Sequence, residues 1–260
     1  MTNWQSLFDR TPVQTVDGMH AFGREEDGDS FDASDVAEWR GGRLLSNWTR
    51  TDLLHNPAIR EMLEAAVREE YAIELACGPG LGLLPSLHQL KPGFPGLATD
   101  ANLSVLREWQ RILCSLEVES IALAQCSLMA LPFRDDSVQA YTSMIGLSST
   151  RSGEAGYMTA LAEIYRTLAP GGKLYAVETE WTDIPVILRL FERMGQQPWT
   201  IFLQQQSTWR ERFLRAGFTI LAEAEAERVM LRPEDNDLGR AAAVHGVQVG
   251  QRRTAYILQK

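Results

Sequence analysis

Two acids and three glycines in the first half of the chain have the spacing of a nucleotide-type site. Glu74 closes the apolar run in "YAIELACGPGLGLLP" (71–85), and Gly78, Gly80 and Gly82 follow at alternate positions. Glycines set so closely let backbone approach a ligand with no Cβ between them. Asp100 ends "GLATD" (96–100), 22 residues after Gly78, where an acid can accept hydrogen bonds from both hydroxyls of a ribose. A dinucleotide fingerprint needs a third glycine for helix–strand packing, and Leu83 stands in its place. No G-x-x-x-x-G-K-[ST] occurs, which excludes a P-loop. A glycine turn alone can serve tight packing, and a strand-end Asp alone can be a helix cap. Their joint spacing favours a ligand.

The elements that must position these residues begin near Asn56-Pro57, an N-cap and first-turn pair, before a helix with Ile59, Leu63, Ala66 and Val67 on one face. "YAIELA" (71–76) reads as strand, with a helix from about Gly82 that carries Pro85 in its first turn. The alternation continues with strand 96–100, helix 101–116, strands 120–125 and 137–144, and helix 153–169 stopped by "PGGK" (170–173). Strand 173–180, helices 183–195 and 207–217, and strands 218–231 and 252–259 complete the chain. Alternating strands and helices predict an α/β fold: a doubly wound, mostly parallel sheet with an antiparallel end. Residues 1–55 differ. The acidic stretch "GREEDGDSFDASD" (23–35) separates Trp4 and Phe8 from Trp39 and Trp48, and tryptophans are poor residues to leave in water. The expected organisation is an N-terminal lid or substrate-side extension over 1–55 and a main domain over 56–260.

"ELACGPG" resembles the first motif of the class I S-adenosylmethionine-dependent methyltransferases, E/D-h-G/A-C-G-x-G. Three later segments are similar to that family in order and spacing: "ALPFRDDSVQAYTSM" (130–144), "ALAEIYRTLAPGGKLYAVE" (160–178) and "FLRAGFTIL" (213–221). The resemblance implies a seven-stranded sheet with its last strand inserted antiparallel, and S-adenosylmethionine as cofactor. It implies Glu74 near the methionine amino end, Ala76, Cys77, Gly78 and Gly80 under the cofactor, Asp100 on the ribose, and Ala101 and Asn102 beside the adenine. Ser127, with Leu128 next to it, falls where the family usually has an Asp on the adenine amino group. Met144 would line the cavity near the sulfonium, and Arg43 would reach the cofactor carboxylate from the extension. The family's "GDA" reads "CSL" here, and Gln139 replaces an Asp of the fourth-strand segment.

Methyl transfer needs mainly an acceptor held in line, and a general base only if that acceptor arrives protonated. His20 and His245 in connecting segments, and Glu180 after the fifth strand, are the candidate catalytic residues. Trp181, Trp199, Trp209, Phe191 and Phe202 fit either helix packing or the wall of a pocket for a planar or apolar acceptor. The net charge of -9 argues against a nucleic-acid partner and leaves a small molecule as the default substrate. Three cysteines with no CxxC pair and no histidine at ligand spacing predict reduced thiols and no metal site. No apolar stretch approaches 18 residues and the N-terminus lacks a signal-peptide pattern, so a cytoplasmic protein without membrane contact, monomer or homodimer, is expected. Two other readings stay open: a methyltransferase-fold binding or regulatory protein without catalysis, and an NAD-dependent oxidoreductase.

Overall fold

In the computed structural model, residues 3–16, 18–23, 33–150, 153–199, 202, 203, 205 and 207–260 are described. Among them nine strands form one sheet: β1 (Gln14–Val16), β2 (Met19–Ala21), β3 (Ala72–Glu74), β4 (Gly96–Asp100), β5 (Ile121–Gln125), β6 (Val138–Met144), β7 (Leu168–Trp181), β8 (Thr219–Met230) and β9 (Gly250–Gln259). Their order is β1-β2-β5-β4-β3-β6-β7-β9-β8. Strands β5 to β7 through the centre are parallel, and β9 runs antiparallel between β7 and β8. The expected seven strands with an inserted antiparallel last strand are therefore present. Two more come from the N-terminal extension, whose β1–β2 hairpin pairs with β5 through His20 opposite Ala124.

The strand ends are reproducible from local chemistry. Asn56 accepts from the Ile59 amide (3.1 Å) ahead of Pro57, which starts helix Pro57–Ala66 as the sequence predicts. Helix Leu103–Ser115 buries Leu103, Leu106, Trp109 and Leu113 against the sheet, each such side chain contributing about 1.5–3 kcal/mol of burial. Helix Trp209–Arg215 begins with a capping box between Thr208 and Glu211. At "PGGK" the expected stop is instead the first part of β7. Gly171 takes φ +78°, and a Cβ on Gly172 would stand 2.9 Å from Ala169 O, so the glycines carry the chain past a register shift in β6. Helix Asp237–Val244, capped by Asn236, links β8 to β9, where the sequence shows a less clear helical pattern than between the earlier strands. Most of the acidic stretch, 24–32, lies outside the described residues.

Candidate functional site

The chain from Ala76 to Gly82 folds so tightly that Ala76, Gly78, Leu81 and Gly82 all have positive φ. Four ties hold it: Gly78 N to Asp100 Oδ2 (2.8 Å), Trp109 Nε1 to Gly78 O (3.0 Å), Asn47 Nδ2 to Pro79 O (2.8 Å), and Cys77 N to Thr99 O (2.8 Å). Below it, Glu74 is fully buried and accepts from Leu83 N (3.0 Å), Thr142 Oγ1 (2.6 Å) and Met144 N (3.2 Å). Burial pushes its pKa up to about 7, against the hydrogen bonds that favour the charged form. A Cβ on Gly82 would sit 1.9 Å from Glu74 Oε1, so this glycine is required by the acid beneath it. Gly78 and Gly80 differ: a Cβ at either would meet nothing within 4 Å.

That open space is a cavity of about 310 Å³ at the carboxyl ends of β3 and β6, lined by Gly78 and Gly80 on one side and Met144 and Ile145 on the other. Arg50, Asp52 and Arg253 also line it. Ile145 holds φ +60°, a conformation that costs a β-branched residue about 1–3 kcal/mol and concentrates at functional sites. Asp100 is 6% exposed; Oδ1 accepts from Asn102 N and Nδ2 and Oδ2 from Gly78 N, and burial raises its pKa against these bonds and the Ala101 amide. A glycine cradle that a side chain would fill, beside a buried acid, fits S-adenosylmethionine. Gly78, Gly80 and Asp100 would hold it; Arg50, paired with Asp52 at 3.4 Å, and Arg253 are the two cations lining the same cavity.

The residues singled out in the sequence divide. Ala76, Cys77, Gly78, Gly80 and Met144 line the cavity. Asp100, Ala101 and Asn102 cluster at the end of β4, where Ala101 O accepts from Gln125 Nε2 (2.9 Å). Glu74 supports the loop from below, outside that lining. Ser127 is exposed and Leu128 buried in the turn after β5. Arg43 is exposed and paired with Glu38 (2.8 Å), and Arg50, seven residues on, stands at the cavity instead.

The structure does not bring His20, Glu180 and His245 to this cavity. His20 lines a separate cavity of about 450 Å³ with Trp4, Phe8, Leu113 and Ile121. Glu180 is buried, pairs with Arg252, and accepts from Trp209 N (3.0 Å). His245 ends helix Asp237–Val244 in solvent. Trp181, Phe191, Trp199 and Phe202 form a ring cluster with centroids 5.0–5.6 Å apart, while Trp209 packs on Tyr157 and Phe213. Arg50, Asp52 and Arg253 were missed. They come from the extension and from β9, far in sequence from the glycines, and no local pattern marks them.

Comparison with known proteins gives one family match, the ubiE/COQ5 methyltransferase family, over residues 55–198. A demethylmenaquinone methyltransferase of Lactococcus lactis subsp. lactis (strain IL1403) is 29% identical over 120 residues, 46% of this chain and 46% of the relative. A ubiquinone/menaquinone biosynthesis C-methyltransferase UbiE of Paracoccus denitrificans (strain Pd 1222) is 34% identical over 104 residues, 39% of this chain and 40% of the relative. The chain thus spans about half the length, or less, of the curated relatives it matches. Among solved structures, a SAM-dependent methyltransferase from Aquifex aeolicus shares the fold with TM-score 0.53 at 12% identity, over 88% of this chain and 99% of that one. MccD protein shares it with TM-score 0.55 at 15% identity, over 79% and 98%.

Proposed function

The chain belongs to the ubiE/COQ5 methyltransferase family, and from that premise we propose that it transfers a methyl group from S-adenosylmethionine to a carbon of a quinone-type small molecule in the cytoplasm. The observation that carries the reading is the cradle. Gly78 and Gly80 face open cavity at the carboxyl end of the sheet, beside the Asp100 carboxylate. The names of the relatives, demethylmenaquinone and ubiquinone/menaquinone methyltransferases, support the acceptor class.

When bound, S-adenosylmethionine supplies a methyl group on a positively charged sulfur. The chain's task is to place an acceptor carbon in line and exclude water. Met144 and Ile145 give the cavity an apolar wall. We assign proton acceptance from a hydroxylated ring to Asp52, the one carboxylate among the described lining residues, which pairs with Arg50 at 3.4 Å, and the holding of a ring oxygen to Arg253.

Calorimetry with S-adenosylhomocysteine and NADH, followed by methyl transfer to reduced demethylmenaquinone, tests this. Binding of the first ligand alone, with transfer, is the expected result. Absence of S-adenosylhomocysteine binding would sink the reading. Binding without turnover on any phenol or quinol would favour a methyltransferase-fold binding protein.

A further inference from the structure

Glu178, on β7, is a buried acid that the site described above does not use. It is 1% exposed, and its oxygens receive four hydrogen bonds. Oε1 accepts from Ser143 Oγ (3.1 Å) and Leu147 N (3.1 Å); Oε2 accepts from Ser148 N (3.2 Å) and from Ser148 Oγ. Three of these donors belong to the turn that follows β6. That turn starts with Ile145, which holds positive φ, lines the cavity and donates its amide to Val177 O (2.7 Å). Gly146 comes next. A Cβ there would stand 2.5 Å from Leu75 O and 3.2 Å from Ala76 Cβ, so the turn lies directly on the backbone that begins the glycine loop. Residues 145–148 are therefore tied on one side to Glu178 and stopped on the other by Leu75 and Ala76.

The geometry points to Glu178 as a positioning residue: its carboxylate fixes the turn and thereby sets where Ile145 stands in the cavity, against acceptor and transferred methyl. The role rests on the methyltransferase reading. It predicts an effect on turnover without a matching effect on cofactor affinity, because the four hydrogen bonds to the carboxylate come from Ser143 and the turn after β6, and none from Gly78, Gly80 or Asp100. A glutamine at 178 keeps the shape but turns one acceptor into a donor. The serine hydroxyls can rotate to accommodate it; the Leu147 and Ser148 amides cannot.

Glu178→Gln is compared with the wild-type full chain in three ways: S-adenosylhomocysteine affinity by calorimetry, kcat and KM with demethylmenaquinol, and amide exchange over 144–149 without ligand. Affinity is expected to stay within about threefold while kcat falls roughly 10–100-fold and the turn exchanges faster. Unchanged kcat with unchanged exchange overturns the role, as does an affinity that falls in step with kcat. A wild-type protein that does not bind S-adenosylhomocysteine overturns the methyltransferase reading and the role with it. Should the wild type bind but leave demethylmenaquinol unmethylated, the exchange comparison decides alone. If Glu178→Gln does not fold, Ser148→Ala removes one donor and keeps the acid; a kcat loss of about threefold or more at constant affinity supports the role, and no loss overturns it.

Discussion

Gly80 and Gly82 stand two residues apart in one loop and answer to different constraints. Gly80 has an ordinary φ and open cavity where a side chain would project, so Gly80→Val should leave the thermal midpoint unchanged while filling the cradle. The expected result is a loss of S-adenosylhomocysteine affinity of more than about tenfold, or roughly 1.4 kcal/mol. Gly82→Ala should do the reverse. With φ +57° and Glu74 Oε1 at 1.9 Å from the new Cβ, the methyl group must displace a buried carboxylate that holds Leu83 and Met144. A clear drop in thermal midpoint is expected, of the kind seen when overpacking costs about 1–3 kcal/mol. Thermal melts beside calorimetry on both variants check the contrast; equal behaviour would mean that the loop is a packing device and no cradle.

Helix Leu44–Thr49 of the extension meets the glycine loop through Asn47, and single side chains tie residues 40–50 to helices Leu84–Leu90 and Leu103–Ser115. Asn47 donates to Pro79 O, Arg40 pairs with Glu108 at 2.7 Å, and Gln89 Nε2 donates to Trp48 O and Arg50 O. The Arg40 hydrogen bond holds the Glu108 carboxyl below its usual range. Asn47→Ala removes the contact nearest the cavity, at a cost of about 1 kcal/mol. If the extension acts as a lid, residues 39–50 will exchange faster and S-adenosylhomocysteine will bind a few-fold more weakly; unchanged affinity would make the extension a bystander. How much of this was legible follows from where the information lies. Strands β3 to β6 are mainly apolar runs bounded by turn chemistry, and the motifs along them pointed to Gly78, Gly80, Asp100 and Met144. The hairpin was not legible, because "QTV" and "MHA" are too short for any period and take their pairing from the edge of β5. Arg43 was the arginine expected to reach the site from the extension, and only the docked helices show that Arg50 lines the cavity.

At the scale of the whole molecule, the family match ends at residue 198 and begins at 55, so Arg50, Asp52 and Arg253 come from parts of the chain outside it. The glycine loop, Asp100 and Met144 lie within the match, and so do Glu74 and Glu178, both fully buried, whose pKa values burial pushes up to about 7. Each binds its proton more tightly folded than unfolded, where the ordinary value is 4.5. Between those two values the native state holds more protons than the unfolded chain, so stability must fall as pH rises through that window. Glu154 and Glu163 have pKa values lowered by their arginine and serine partners, against the desolvation that burial imposes, and they lose stability only when acid protonates them. From pH 5.5 to 7 those groups remain ionised and the buried pair lowers stability as pH rises, opposed by His88, whose pKa burial lowers. The thermal midpoint of the wild type should therefore decline across this range, and the double variant Glu74→Gln, Glu178→Gln should show a flatter profile whatever its absolute midpoint. Melts at half-unit steps of pH would check this, and a wild-type midpoint that rises toward pH 7 would mean that both acids are ionised at little cost, held by their seven donor groups more strongly than burial opposes them.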